Sequence, residues 1–130
     1  GVKVDIIPAD KYFKSMAQAI LVSDKTIKEN PALVRGFVRA TLKGLRDIVQ
    51  DPASAAKDYI KAIPAYQGKD DYVLRVFKLY NKLVYTGQSR LGEIDAKRLG
   101  ALQDFYVKEG IVPKATPLND LYTNEFIPAK

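Results

Sequence analysis

The residues best suited to contact a small ligand are two neighbouring aromatic side chains near the start of the chain, Tyr12 and Phe13. They lie between two segments that predict β-strands, over residues 2–7 and 18–22. Loops at strand ends are where α/β proteins bind ligands, and small-molecule pockets combine aromatic rings with a few polar groups. We therefore expect a binding loop here. The alternative is that both rings fill the core beneath the loop, as aromatic residues often do.

The residue types that carry most enzyme chemistry are missing. The 130-residue chain has no cysteine and no histidine, which excludes thiol nucleophiles, Ser-His-Asp constellations, disulfides and the usual zinc sites. No phosphate-binding glycine loop and no Gly-x-Ser-x-Gly elbow occurs. The adjacent carboxylates Asp70 and Asp71 stand at a predicted helix start, where they stabilise the helix dipole. We predict a protein that is not an enzyme and that uses no metal or cofactor.

The charge balance is basic, with 21 Lys and Arg against 15 Asp and Glu and a net charge of +6. Nucleic-acid binding needs such cations clustered on one face. Here they alternate with acids, as in 25–29, and form no long run of like charge. The pattern favours a solvated basic surface and no nucleic-acid partner. A role of this charge in attracting a small anion stays open.

The middle of the chain predicts helices with clear boundaries. Asn30-Pro31 and Asp51-Pro52 each combine an N-cap residue with proline at the first helical position. Apolar residues then recur at spacings of three and four, which places them on one helix face. The sequence therefore predicts about four helices, over 31–50, 52–62, 71–86 and 95–109.

Shorter signals predict how the remaining segments begin and end. Residues 23–24 can cap a single helical turn that runs to Glu29. Gly110 has the place of a left-handed residue after a helix, with Ile111 folding back on the last turn as in a Schellman motif. The last twenty residues contain three prolines and cannot form a long helix. We expect an extended tail that apolar side chains such as Phe126 hold in place.

Two strands and four helices do not complete a sheet. Segment 18–22 is largely apolar and does not alternate, so as a strand it would need a partner on each side. The chain offers at most one. We therefore expect part of a larger α/β domain, mostly helical in this portion. Apolar surface left open, especially around residues 1–22, should drive self-association into a homo-oligomer or pairing with the rest of the protein.

Several segments occur in a characteristic order, which ends in Tyr-Thr-Asn-Glu-Phe. They are Ala19–Lys25, Glu29–Val34, Phe37–Leu45, Asp51-Pro52, Ile94-Asp95, Phe105–Ile111 and Leu121–Phe126. This combination resembles the C-terminal half of solute-binding proteins of bacterial ABC importers. The most similar branch of that family handles nitrate, sulfonates, taurine and thiamine-pyrimidine precursors.

The resemblance implies a type 2 periplasmic-binding-protein fold, in which two lobes joined by two crossing segments close on a solute. Residues 1–22 would be a strand and crossing segment from the second lobe. Residues 23–130 would be the helical C-terminal part of the first lobe, with its extended tail. The N-terminal half of such a protein, with most of its pocket residues, would be a separate part of the same polypeptide.

The resemblance also implies a site and a function. Tyr12 and Phe13 would offer ring faces to the solute, and Ser15 and Gln18 would offer hydrogen bonds. The protein would bind a small anionic or heterocyclic solute and deliver it to an ABC permease in the membrane. It would be periplasmic or extracellular, with a lipid anchor as one form of attachment. The alternative is a pyrimidine-precursor synthase of the same fold, whose catalytic residues would lie in the missing N-terminal half.

Overall fold

A computed structural model describes residues 3–5, 7, 11–12, 16, 18–85 and 87–129 of the chain. Within those residues the chain forms five α-helices and no β-strand. Short 3-10 turns cover Pro64–Tyr66 and Leu118–Asp120. The helices are α1 (Asp24–Glu29), α2 (Pro31–Gln50), α3 (Pro52–Ala62), α4 (Asp70–Leu83) and α5 (Ala96–Lys108).

The predicted helices are confirmed, and α2 and α3 begin at the predicted prolines. The Asn30 side chain accepts a hydrogen bond from the backbone N–H of Leu33 at 3.2 Å. The Asp51 carboxylate accepts from Ala53 at 3.1 Å and from Ser54 at 3.0 Å. Backbone donors in the first turn of a helix have no partner within the helix, so these side chains satisfy them. The single turn ending at residue 29 is confirmed as α1.

The two predicted strands are wrong where the structure describes them. Residues 18–22 form no strand, and neither do 3–5 and 7, while positions 2 and 6 lie outside the described residues. The Leu21 side chain is 91% exposed, and Ile20 and Val22 are exposed as well. A strand is held by hydrogen bonds to a neighbouring strand. No such neighbour exists in the described part of the chain, so apolar sequence alone does not produce one.

The chain divides into two compact units. One, called here the α1–α4 unit, comprises Ile20–Glu93 and Asn124–Lys130. The other, the α5 unit, comprises Gly1–Ala19 and Ile94–Thr123. Each contains elements that pack on one another.

The core of the α1–α4 unit lies where α3 packs between α2 and α4. Ala56 and Ile60 of α3 are buried together with Val73 of α4. Four partly buried side chains surround these three: Tyr59, Tyr66, Leu74 and Phe77. Burying an aliphatic side chain of this size stabilises a fold by roughly 1.5–3 kcal/mol, so this small cluster is a main source of cohesion.

Hydrogen bonds after the end of α5 and those of the Gln103 side chain stabilise the α5 unit. Gly110 has φ +68°, and its N–H donates to the carbonyl of Val107 at 3.1 Å. The N–H of Ile111 donates to the carbonyl of Tyr106 at 2.9 Å, which completes the predicted Schellman motif. The Gln103 carboxamide then binds the backbone of Thr116 in both directions, at 2.8 and 3.0 Å.

Large apolar side chains remain exposed on α2. Leu33 and Phe37, one turn apart, are each 59% exposed. Exposed apolar patches on soluble proteins commonly become interfaces. Self-association of the chain, or cover by the rest of a longer protein, therefore stays a prediction.

Candidate functional site

The predicted binding loop is described only in part. Tyr12 is 80% exposed, so its ring does not fill a core within the described residues. Gln18 is exposed too. Phe13 and Ser15 lie outside the described residues. The structure thus leaves the ring of Tyr12 and the carboxamide of Gln18 open to solvent, and the assignment of these four residues to a site stays a prediction.

The tail motif has a structural role in the α1–α4 unit. Phe126 is only 5% exposed. The guanidinium of Arg35 lies over its ring, 5.2 Å from the centroid, and donates to the carbonyl of Glu125 at 3.5 Å. Arg90 donates to the carbonyl of Ile127 at 3.1 Å. The expectation that Phe126 helps to hold the tail agrees with its burial, but the tail is not extended throughout, because Leu118–Asp120 form a 3-10 turn.

Sequence reasoning missed an alternating ladder of aromatic and cationic residues: Tyr66, Lys69, Tyr72 and Arg75. The two tyrosine rings are parallel within 8° at a centroid distance of 6.5 Å. Lys69 lies 5.6 Å from the Tyr66 centroid, and Arg75 lies 6.0 Å from that of Tyr72. The regular spacing of three residues is the feature of the sequence from which this ladder could have been predicted. Each cation already has a cation–π contact with a ring of the ladder. The ladder also borders an open surface depression of about 600 Å³.

Two tyrosines of the α1–α4 unit have raised pKa values. Burial raises the pKa of Tyr59, and the neighbouring Tyr66 adds to the shift by its charge and a hydrogen bond. Burial also raises the pKa of Tyr85, with Tyr80 contributing. Both phenols therefore stay protonated to a higher pH than an ordinary tyrosine.

The described residues contain no cluster of three or more acidic side chains that could hold a metal ion. No helix in the described ranges is both long enough and apolar enough to cross a bilayer.

Comparison with known proteins confirms the resemblance to solute-binding proteins. A family model described as NMT1/THI5 like matches residues 1–55, a range that includes the predicted binding loop. The chain is also similar to a riboflavin-binding protein, RibY of Chloroflexus aurantiacus. The two are 33% identical over 133 aligned positions, which cover 98% of this chain and 38% of the relative. No solved structure matches the chain.

The chain thus spans 38% of the length of the curated relative it matches. The family match and the name of the relative agree with the resemblance to solute-binding proteins. They do not favour the pyrimidine-precursor synthase.

Proposed function

We propose that this chain is part of a non-enzymatic solute-binding protein that serves an ABC importer. The observation that carries the proposal is the alignment with a riboflavin-binding protein across 98% of the chain. In this proposal the protein works in the periplasm or outside the cell, soluble or lipid-anchored, and passes its solute to a membrane permease. Residues 1–22 belong to the crossing segment and 23–130 to the first lobe. The rest of the polypeptide supplies the other wall of the cleft.

The solute we favour is heterocyclic. The sequence left nitrate, sulfonates, taurine and pyrimidine precursors open, and the relative is named for riboflavin, which has a flat heteroaromatic ring system. A flat ring of that kind needs an aromatic face to stack on and amide-like groups to read its polar edge.

Tyr12 and Gln18 have the chemistry for those two tasks. The exposed ring of Tyr12 can stack on a flat solute, as offset aromatic pairs do. The exposed carboxamide of Gln18 can donate and accept at a heterocycle edge. Phe13 and Ser15 are proposed to add a second ring and a hydroxyl. All four lie in the segment that the family model matches.

The test is titration of the full-length protein with riboflavin, followed by the fluorescence of the flavin. Nitrate, taurine and an aminopyrimidine are titrated in parallel by calorimetry. Tyr12→Ala and Gln18→Ala should each weaken binding of the solute about tenfold, because a lost stacking contact or hydrogen bond removes about 1–1.5 kcal/mol. Tyr12→Phe keeps the ring and should keep the affinity within about twofold.

The matched control is Gln50→Ala, an exposed glutamine at the end of α2. It should leave affinity unchanged. If Tyr12→Ala and Gln18→Ala lower the melting temperature but leave affinity per folded molecule intact, the loop is structural and the site lies elsewhere. If none of the four solutes binds the full-length protein, the proposed solute class is wrong.

A further inference from the structure

A small concavity lies wholly within the α1–α4 unit and outside the proposed solute loop. Its volume is about 220 Å³. It is formed by the second half of α2, the loop before α5 and the end of the tail. The lining residues are Leu42, Arg46, Ser89, Arg90, Leu91 and the segment 127–129.

Arg90 lines this concavity and carries a buried donor without a partner. One terminal nitrogen of its guanidinium donates to the carbonyl of Ile127 at 3.1 Å. Its Nε is buried and has no hydrogen-bond partner. A buried donor without an acceptor destabilises a fold, and such groups in native proteins nearly always face one. The described chain supplies no acceptor for this Nε, and the arginine that carries it lines the concavity.

The surrounding charge favours an anionic acceptor. Arg46 of α2 is the second cation in the lining, and none of the described lining residues carries a carboxylate. Three carboxylates, those of Asp47, Glu93 and Glu125, stand within two residues of the lining in the sequence. Glu93 accepts a hydrogen bond from Ser89 at 3.2 Å, and Asp47 pairs with Lys43 at 2.8 Å. The chain as a whole carries a net charge of +6, which adds to the attraction.

Size then limits what can enter. Pockets for drug-sized ligands have volumes of about 300–1,000 Å³, so roughly 220 Å³ is too small for a flavin. A guanidinium presents its donors as a planar fork that matches the oxygens of carboxylate, phosphate or sulfate. We propose that this concavity is a binding site for a small oxyanion, held by Arg90 and Arg46.

The experiment follows the side-chain Nε–Hε signal of Arg90 by NMR in the 130-residue chain. Sodium sulfate, sodium phosphate and sodium acetate are added in separate titrations, each against sodium chloride at matched ionic strength. A bound oxyanion should shift that signal in a saturable way, while chloride should not. The three anions distinguish tetrahedral oxyanions from a carboxylate. Equal shifts in chloride and in all three salts would overturn the proposal, because they would show only screening.

Variants separate the site from general charge. Arg46→Gln should weaken binding of the preferred anion at least fivefold without disturbing the tail, since its side chain is exposed. Arg39→Gln is the control, an exposed arginine two turns earlier on α2 and outside the lining. It should change affinity less than twofold. Equal losses in the two variants would also refute the site. Because Arg90 holds the tail as well, its own replacement is not needed for the decision.

Discussion

The junction of α2 and α3 and the segment 18–22 are two short stretches whose sequences made equally definite predictions. At the junction the prediction is correct to the residue, because Asp51 caps α3 with its own carboxylate and Pro52 is the first helical residue. In segment 18–22 the predicted strand does not form, and Leu21 is exposed to solvent. The difference lies in where the partners come from. A helix cap closes within three residues, whereas a strand needs another strand from elsewhere in the fold.

The comparison implies that stability in the α1–α4 unit comes from packing, while segment 18–22 contributes little to it in this chain. Ile60→Ala should lower the free energy of unfolding by about 2–5 kcal/mol, because it opens a cavity in the buried cluster that contains Ala56 and Val73. Leu21→Ala removes a side chain of the same size and should change it by less than about 0.5 kcal/mol. Denaturant titration of both variants measures the difference. Similar losses would mean that residue 21 is packed after all.

The contribution of the N-cap at the α2–α3 junction can be tested by mutation. Asp51→Ala removes the acceptor for the N–H groups of Ala53 and Ser54 and should cost about 1 kcal/mol. Asp58→Ala makes the same chemical change at an exposed position inside α3. There alanine has the higher helix propensity, so the change should be neutral or slightly stabilising. Thermal unfolding followed by circular dichroism gives both values. If Asp51→Ala lowered the stability no more than Asp58→Ala, the explanation of the α3 start by its N-cap would be wrong.

The smallest expected effect is a pH dependence of the packed unit. Tyr59 and Tyr85 have pKa values raised above the ordinary 10.0 in the folded chain. The folded state therefore holds these protons more tightly than the unfolded state. Their stabilising contribution is complete below pH 10 and is lost as pH rises through the folded pKa. Tyr59→Phe should make the alkaline decline of the melting temperature shallower, and Tyr12→Phe, at an exposed position, should leave it unchanged. The same slope in both variants would remove Tyr59 as a cause.

The features that the sequence predicted correctly are the ones whose causes are close together along the chain. The prolines at 31 and 52 and the glycine at 110 each act within one helical turn. The buried phenylalanine of the tail was also expected from its type and setting. By contrast, nothing local predicts that Arg35 reaches residue 125 or that Arg90 reaches residue 127, contacts that span 90 and 37 positions.

The two candidate sites also differ in how far the sequence alone predicts them. The ring of Tyr12 and the amide of Gln18 could be chosen by residue type, since exposed loop groups of that chemistry suit a flat solute. The concavity at Arg90 could not, because it depends on a buried Nε and on a tail that folds against α2. Sequence reasoning finds what a side chain can do, and the fold decides what surrounds it.

The two arginines that hold the tail bind backbone carbonyls, those of Glu125 and Ile127. A carbonyl is present whatever amino acid occupies the position. These two hydrogen bonds therefore do not depend on which side chains stand at 125 and 127, whereas the contact of Arg35 with the ring needs Phe126. Positions 35 and 90, far from the tail in the sequence, therefore chiefly determine whether a related protein docks its tail in this way. An alignment of tails alone would miss it.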